Sequence, residues 1–140
     1  MADLSDDDLR DLLARARRFA CVGASANPAR PSHYVSRYLI AQGYDVVPVN
    51  PGLAGQVVFG RQAVGSLSEI KGPVDVLDVF RRSEAVSDLV RDALATLPAL
   101  QCVWLQLGVF SDEAVEMCRE AGVGFVQDRC PKIEHARLIA

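Results

Sequence analysis

The stretch FACVGASANPARPSHYV, residues 19–35, decides the fold. It opens on a short apolar run ending at Gly23, continues through polar punctuation, and then starts a helical pattern. Pro31 suits the first position of that helix, where its missing N–H costs nothing. Val35, Tyr38 and Leu39 give the helix an apolar face, and Gly43 can close it in the left-handed conformation. A strand, a tight turn and a helix in this order can hold a phosphate. Gly23 and Ala24 are small enough for close backbone approach, and the first N–H groups of the helix carry the positive end of its dipole. Ser25, Arg30 and Ser32 add two hydroxyls and a guanidinium able to bond phosphate oxygens. The later glycines of a G-x-G-x-x-G dinucleotide fingerprint are missing, and a glycine at such a turn also has a purely structural use.

On either side the pattern alternates. Residues 5–18 read as a helix with Ser5 as cap, Asp6 to Asp8 in the first turn, and Arg15, Arg17 and Arg18 at the end. After residue 43, YDVVPV is a strand whose Pro48 cannot donate to a ladder, which places it at a strand end or sheet edge. Residues 52–65 form a glycine-rich loop with an extended piece at QVVF, and SLSEI forms one or two helical turns. VDVLDVF is a strand mixing apolar and acidic positions. From Ser83 a helix follows, with Val86, Leu89, Val90, Ala93, Leu94 and Leu97 at helical spacing, stopped by Pro98. CVWLQL is a strand, Ser111 caps a helix ended by Gly122, VGFVQ is a last strand, and PKIEHARLI a terminal helix. Five strands alternating with helices through short connections imply an α/β fold, a doubly wound, mainly parallel five-stranded sheet with helices on both faces.

The 140 residues fit one domain, 1–140, on which the N-terminal helix within 1–18 packs. The formal net charge of −3 argues against a general nucleic-acid binder. Cys21, Cys102, Cys118 and Cys130 form no C-x-x-C pair, so metal ligation is a poor reading and free thiols in a reducing compartment the plain one. The opening MADLSDDDL lacks the basic flank and apolar segment of a signal peptide, and no apolar run is long enough to cross a membrane. The expectation is a cytoplasmic protein with no membrane partner.

Doubly wound sheets bind ligands at the carboxyl ends of their strands. Five loops meet there: 23–32, 49–52, 80–83, 106–111 and 128–131. The second discriminates between ligands. An NAD site places Asp or Glu after the second strand to bond the ribose 2′-hydroxyl; here the chain reads Val49-Asn50-Pro51. That weakens hydride transfer from a nicotinamide cofactor.

CVGASANPARPSHYV, GYDVVPVNP, VDVLDVFRRSE, VWLQLGV and DRCPKIEHARL, in this order, resemble the CoA-binding domain family over residues 15–140. The chain looks like its small stand-alone bacterial members, whose fold also forms the N-terminal domain of the succinyl-CoA synthetase alpha chain. The resemblance implies a Rossmann-like fold that binds coenzyme A. Gly23, Ala24, Ser25 and Arg30 would face the diphosphate, with Ser32 nearby. Val49, Asn50 and Pro51 would border the adenosine end, Phe80 and Arg81 would bracket the nucleotide, and Gln106 and Gly108 would lie toward the pantetheine arm. Each residue also has a plainer role. Phe80 and Trp104 suit the core, Arg81 can pair with Asp78 or Glu84, and Asn50 can shape an Asx turn before Pro51.

Chemistry is less evident. Acyl-CoA ligases sharing this domain use a further domain with a phosphorylatable histidine, which these 140 residues do not show. His33 and His135 read as surface side chains, and no Ser-His-Asp set or carboxylate pair stands out. Cys130 is the candidate thiol site. Arg129 beside it and the following helix start would stabilise a thiolate able to form a mixed disulfide with CoA; a buried inert thiol is the plainer reading. The leading function is a non-catalytic module that binds CoA or an acyl-CoA. The alternatives are an NAD(P)-dependent oxidoreductase and a nucleotide-sensing regulatory subunit of a partner protein. A homodimer is compatible with all three, although no residue marks an interface.

Overall fold

The computed structural model describes residues 4–140, so the first three residues of the acidic opening lie outside it. Helix α1 (Asp6–Arg15) starts at a capping box in which Ser5 and Asp8 satisfy each other's backbone N–H. It ends three residues earlier than the sequence pattern suggests, because Arg18 belongs to β1 (Arg18–Val22). The Arg18 Nε donates to Asp45 at 2.7 Å, and the backbone N–H groups of Arg17 and Arg18 donate to the Asp75 carboxylate. These bonds fix the amino-terminal edge of the sheet and pull Arg18 out of the helix.

Helix α2 (Pro31–Ala41), strand β2 (Asp45–Val49) and a small antiparallel hairpin of β3 (Val57–Val58) and β4 (Arg61–Gln62) follow. Then come β5 (Val76–Val79), α3 (Val86–Thr96), β6 (Cys102–Leu105), α4 (Asp112–Ala121), β7 (Gly124–Val126) and α5 (Pro131–Leu138). Residues 83–85 form a 3₁₀ turn, so the α-helix expected from Ser83 begins at Val86.

The five main strands are all parallel, in the order β2-β1-β5-β6-β7. Pro48 therefore lies on an edge strand, where its missing donor leaves no gap in the ladder. From β1 the chain goes first to β2 on one side and later to β5 on the other, so the switch point lies at the carboxyl ends of β1 and β5.

Alternation along the strands divides the core. Ala20, Val22, Leu77, Val79, Val103 and Leu105 pack under Val86, Val90 and Ala93 of α3 and Ala114 and Cys118 of α4. Phe19, Cys21, Val46, Val76 and Trp104 pack against Leu9, Leu12 and Leu13 of α1, Val35 and Leu39 of α2, and Cys130. Trp104 belongs to this core and is fully buried, its indole N–H donating to the Arg129 carbonyl at 3.0 Å. Burying side chains of this size contributes about 1.5–3 kcal/mol each, which holds both helical layers to the sheet and fixes the strand ends from which the site is built.

Candidate ligand-binding site

A cavity of about 1100 Å³ lies along the carboxyl ends of the strands, from the loop after β2 to the start of α5. Its floor is the turn after β1. Gly23 has φ +86°, and a Cβ there would stand 2.3 Å from the Phe80 carbonyl oxygen, so only glycine lets β1 and β5 end this close together. The N–H groups of Gly23 and Ala24 both donate to the Val49 carbonyl, at 3.1 and 3.4 Å. Asn50 bridges the first two loops: its Nδ2 donates to the Ala24 carbonyl at 2.8 Å, and its Oδ1 accepts from the Gly52 N–H at 2.9 Å. The Asx turn is thus present, and Asn50 lines the cavity as well. Within the next loop, Ser25 Oγ accepts from the Asn27 N–H at 3.1 Å, and Asn27 Oδ1 accepts from the Ala29 N–H at 3.0 Å.

Of the residues singled out in the sequence, Gly23, Ala24, Ser25, Arg30, Ser32, Asn50, Phe80, Arg81, Gln106 and Cys130 line this cavity. Val49 and Pro51 line a neighbouring hollow of about 490 Å³, which shares Gly23, Asn50 and Arg81 with the first. Gly108 lines neither; its N–H donates to Asp128 Oδ1 at 2.8 Å and shapes the loop after β6. The sequence reading missed Tyr34, Leu53, Lys132 and Ile133, and it placed Arg82, Leu107 and Val109 only as members of the carboxyl-edge loops. Leu107, more than half exposed, carried a signal as a large apolar residue in a predicted carboxyl-edge loop; Ile133, also more than half exposed, lay in the predicted terminal helix.

The charge of the lining is one-sided. Arg30, Arg81, Arg82 and Lys132 line the cavity, and no carboxylate does among the described residues. Arg30, Arg81 and Lys132 form no ion pair among those residues, so Arg81 takes neither Asp78 nor Glu84; only Arg82 reaches Glu84, at 4.0 Å. The Lys132 ammonium instead lies 5.5 and 5.6 Å from the Tyr34 and Tyr38 ring centroids. Helices α2 and α5 both start here with proline in the first turn and no side-chain cap; at α2 the His33 N–H bonds the Arg30 carbonyl and the Ser32 N–H is left for an anion, while at α5 the N–H groups of Lys132 and Ile133 face the Cys130 thiol. Four cations and two helix starts around one cavity give it the charge that would attract an anion.

The histidines differ from the sequence expectation. His33 is buried, with Nδ1 2.9 Å from the Ser25 carbonyl and its ring edge-on to Phe59. His135 is buried between Tyr38 and Tyr44, with Nδ1 2.9 Å from the Tyr38 hydroxyl; desolvation lowers its pKa. His33 thus ties α2 to the loop after β1 and to the β3–β4 turn, and His135 ties α5 to α2, so both serve as structural polar contacts. The thiol follows the plainer reading, buried and protonated, rather than the stabilised thiolate. Arg129 turns away to Glu134 at 3.2 Å, and burial raises the Cys130 thiol above its usual value despite the opposing N–H groups of Lys132 and Ile133. The protonated thiol is thereby favoured.

Residues 17–136 match the family model described as CoA binding domain. The chain belongs to this family. It is 38% identical over 136 residues to uncharacterized protein YneT of Bacillus subtilis (strain 168), covering 97% of this chain and 98% of the relative. A solved structure from Thermus thermophilus, cell-free ID.343, superposes with a TM-score of 0.92 at 46% identity, covering 97% of this chain and all of the other. A hypothetical protein from Pyrococcus horikoshii OT3 gives 0.90 at 36% identity, covering 98% and 94%. The family match thus leaves outside it the residues before 17, which include α1, and those after 136.

Proposed function

We propose that this protein binds coenzyme A, free or as an acyl thioester, as a non-catalytic module. The observation that carries the proposal is the one-sided cavity: four cations and two uncapped helix N-termini without a lining carboxylate among the described residues. A ligand with a diphosphate at its centre matches this charge. Its diphosphate would lie over Gly23 to Ser25 with Arg30 and Arg81 on its oxygens. Its adenosine would extend toward Asn50 and Leu53, and its pantetheine arm would pass Gln106 toward Cys130. Asn50 stands where a nicotinamide dinucleotide would meet a carboxylate, which favours CoA over NAD. The ligand is a small molecule; the proposal needs neither nucleic acid nor a membrane, and no helix among the described residues is long and apolar enough to span one.

Isothermal titration tests this directly. CoA binds the wild-type protein, and Arg30→Glu, which puts a carboxylate against the diphosphate, abolishes measurable binding. Tight binding of NAD with no binding of CoA would overturn the proposal.

A further inference from the structure

Asp78 is the unexplained group closest to the site. It lies within β5, in register with Cys21 on β1 and Trp104 on β6, and is only 1% exposed. No cation pairs with it among the described residues. Its Oδ1 accepts one hydrogen bond, from Gln106 Nε2 at 2.6 Å, and its Oδ2 has no partner. A buried carboxyl satisfied on one oxygen alone is costly to keep, and a buried polar group is ordinarily fully bonded. Gln106, its one partner, lines the cavity where the pantetheine arm would run and is 7% exposed.

We infer that Asp78 is a positioning residue that decides which end of the Gln106 amide is offered to the ligand's arm. This rests on the CoA reading above. An ionised carboxylate only accepts, so it holds the Gln106 NH₂ inward and leaves Oε1, which bonds nothing among the described residues, to accept an amide N–H or the thiol S–H of the arm. A protonated carboxyl can donate to Oε1 instead. The amide then turns over and offers its NH₂ to the cavity, and the acceptor is lost.

Burial pushes the Asp78 pKa up to about 7, with the Gln106 bond opposing. The change therefore falls in an accessible range. The titratable groups that feel its charge are the thiols of Cys21 on β1, Cys102 on β6 and Cys130 ahead of α5; burial raises all three above the usual thiol value. Helix α2 contributes the uncharged Ser36, against the Cys21 thiol. Asp78 is thus the group in this cluster that changes charge between pH 6 and 8.

The test is CoA titration at pH 6, 7 and 8 on the wild type, Asp78→Asn and Gln106→Met, with folding checked by circular dichroism. Asp78→Asn keeps the shape and removes the titration, so its profile carries every pH effect of the ligand and of other side chains. Relative to Asp78→Asn, wild-type affinity weakens about fivefold from pH 8 to pH 6, the effect of one net hydrogen bond. Gln106→Met loses this dependence. Equal profiles in wild type and Asp78→Asn overturn the inference, as does a wild-type profile surviving in Gln106→Met. Wild-type affinity that tightens toward pH 6 relative to Asp78→Asn also overturns it, because plain repulsion between Asp78 and the anionic ligand has that sign. Failure of the wild type to bind CoA at any pH refutes the CoA reading itself, and this inference with it.

Discussion

Gly23→Ala should be among the most damaging single-methyl changes in the molecule. Two costs combine. At φ +86° an alanine occupies a region that costs an L-residue about 1–2 kcal/mol. The new Cβ would also stand 2.3 Å from the Phe80 carbonyl oxygen and 3.2 Å from the Arg81 Cδ. The oxygen belongs to backbone that follows directly on β5, so relief requires moving a strand end by about 1 Å; overpacking of this kind costs about 1–3 kcal/mol. Together these give a loss of about 2–5 kcal/mol. At about 2.1 cal/mol/K of unfolding entropy per residue, a chain of this length loses about 3.4 °C per kcal/mol, so Tm should fall by about 7–17 °C. The assay is thermal unfolding followed by circular dichroism, with Gly122→Ala as the reference. Gly122 has φ +72° at the end of α4 and nothing within 4 Å of its added Cβ, so it reports the backbone cost alone. A Gly23→Ala variant that melts no lower than Gly122→Ala would refute the close approach of β1 and β5 as the reason for this glycine. CoA affinity should fall in the same variant, because the displaced turn is the proposed floor of the diphosphate site.

Arg81→Glu should weaken CoA binding at least tenfold by titration, the value of about one charge-assisted hydrogen bond, while Tm stays within about 2 °C, because Arg81 is exposed and unpaired among the described residues. Asp78→Asn should raise stability in a pH-dependent way, checked by urea unfolding at pH 4 to 8. The folded carboxyl titrates near 7 and the unfolded one near 3.8, so its contribution is fully present below 3.8 and is lost as pH rises through about 7. The gain from the substitution should therefore be smallest at pH 4 and approach, as an upper limit, about 4 kcal/mol by pH 8. Incubation with CoA disulfide should attach one CoA to Cys130, releasing one free CoA thiol, slowly at pH 7 and faster at pH 9 because burial holds this thiol protonated. Intact-mass measurement reads the adduct, and its persistence in Cys130→Ser would exclude Cys130 as the site.

The parts of the fold legible in the sequence are those fixed by neighbours along the chain. Gly23 and Pro31 mark the turn and the helix start, Ser111 and Gly122 bracket α4, and Pro48 identifies an edge. Long-range packing set what the sequence did not disclose. Asp75 and Asp78 look alike in VDVLDV, yet Asp75 accepts two backbone N–H bonds at the start of β1, whereas Asp78 is sealed between Cys21 and Trp104. His33 and His135 sit on polar-looking helices; His33 is buried against Phe59 of the β3–β4 turn, and His135 by the meeting of α5 with Tyr38 of α2. The same meeting brings Lys132 and Ile133 to a cavity whose other wall lies about 100 residues earlier. Arg129 shows the converse: adjacency to Cys130 suggested a thiolate partner, but Glu134, five residues on in α5, holds the guanidinium.

The formal net charge of −3 is a poor guide to what this protein attracts, because its charges are sorted along the strand direction. At the amino-terminal edge, Asp45 binds Arg18 and Arg61, and Asp75 binds backbone N–H groups, so carboxylates there are neutralised or capped. Asp7, Asp88 and Glu116 pair with arginines on their own helices. At the carboxyl edge Arg30, Arg81 and Lys132 have no such partners among the described residues. Two carboxylates near this edge are engaged, Asp78 with Gln106 and Asp128 with the Gly108 N–H. Cations left unpaired in a concave site raise the local concentration of an anionic ligand even on a chain of negative net charge, and salt screens that attraction. The association rate for CoA should therefore fall as salt rises, opposite to the repulsion that net charge alone would give.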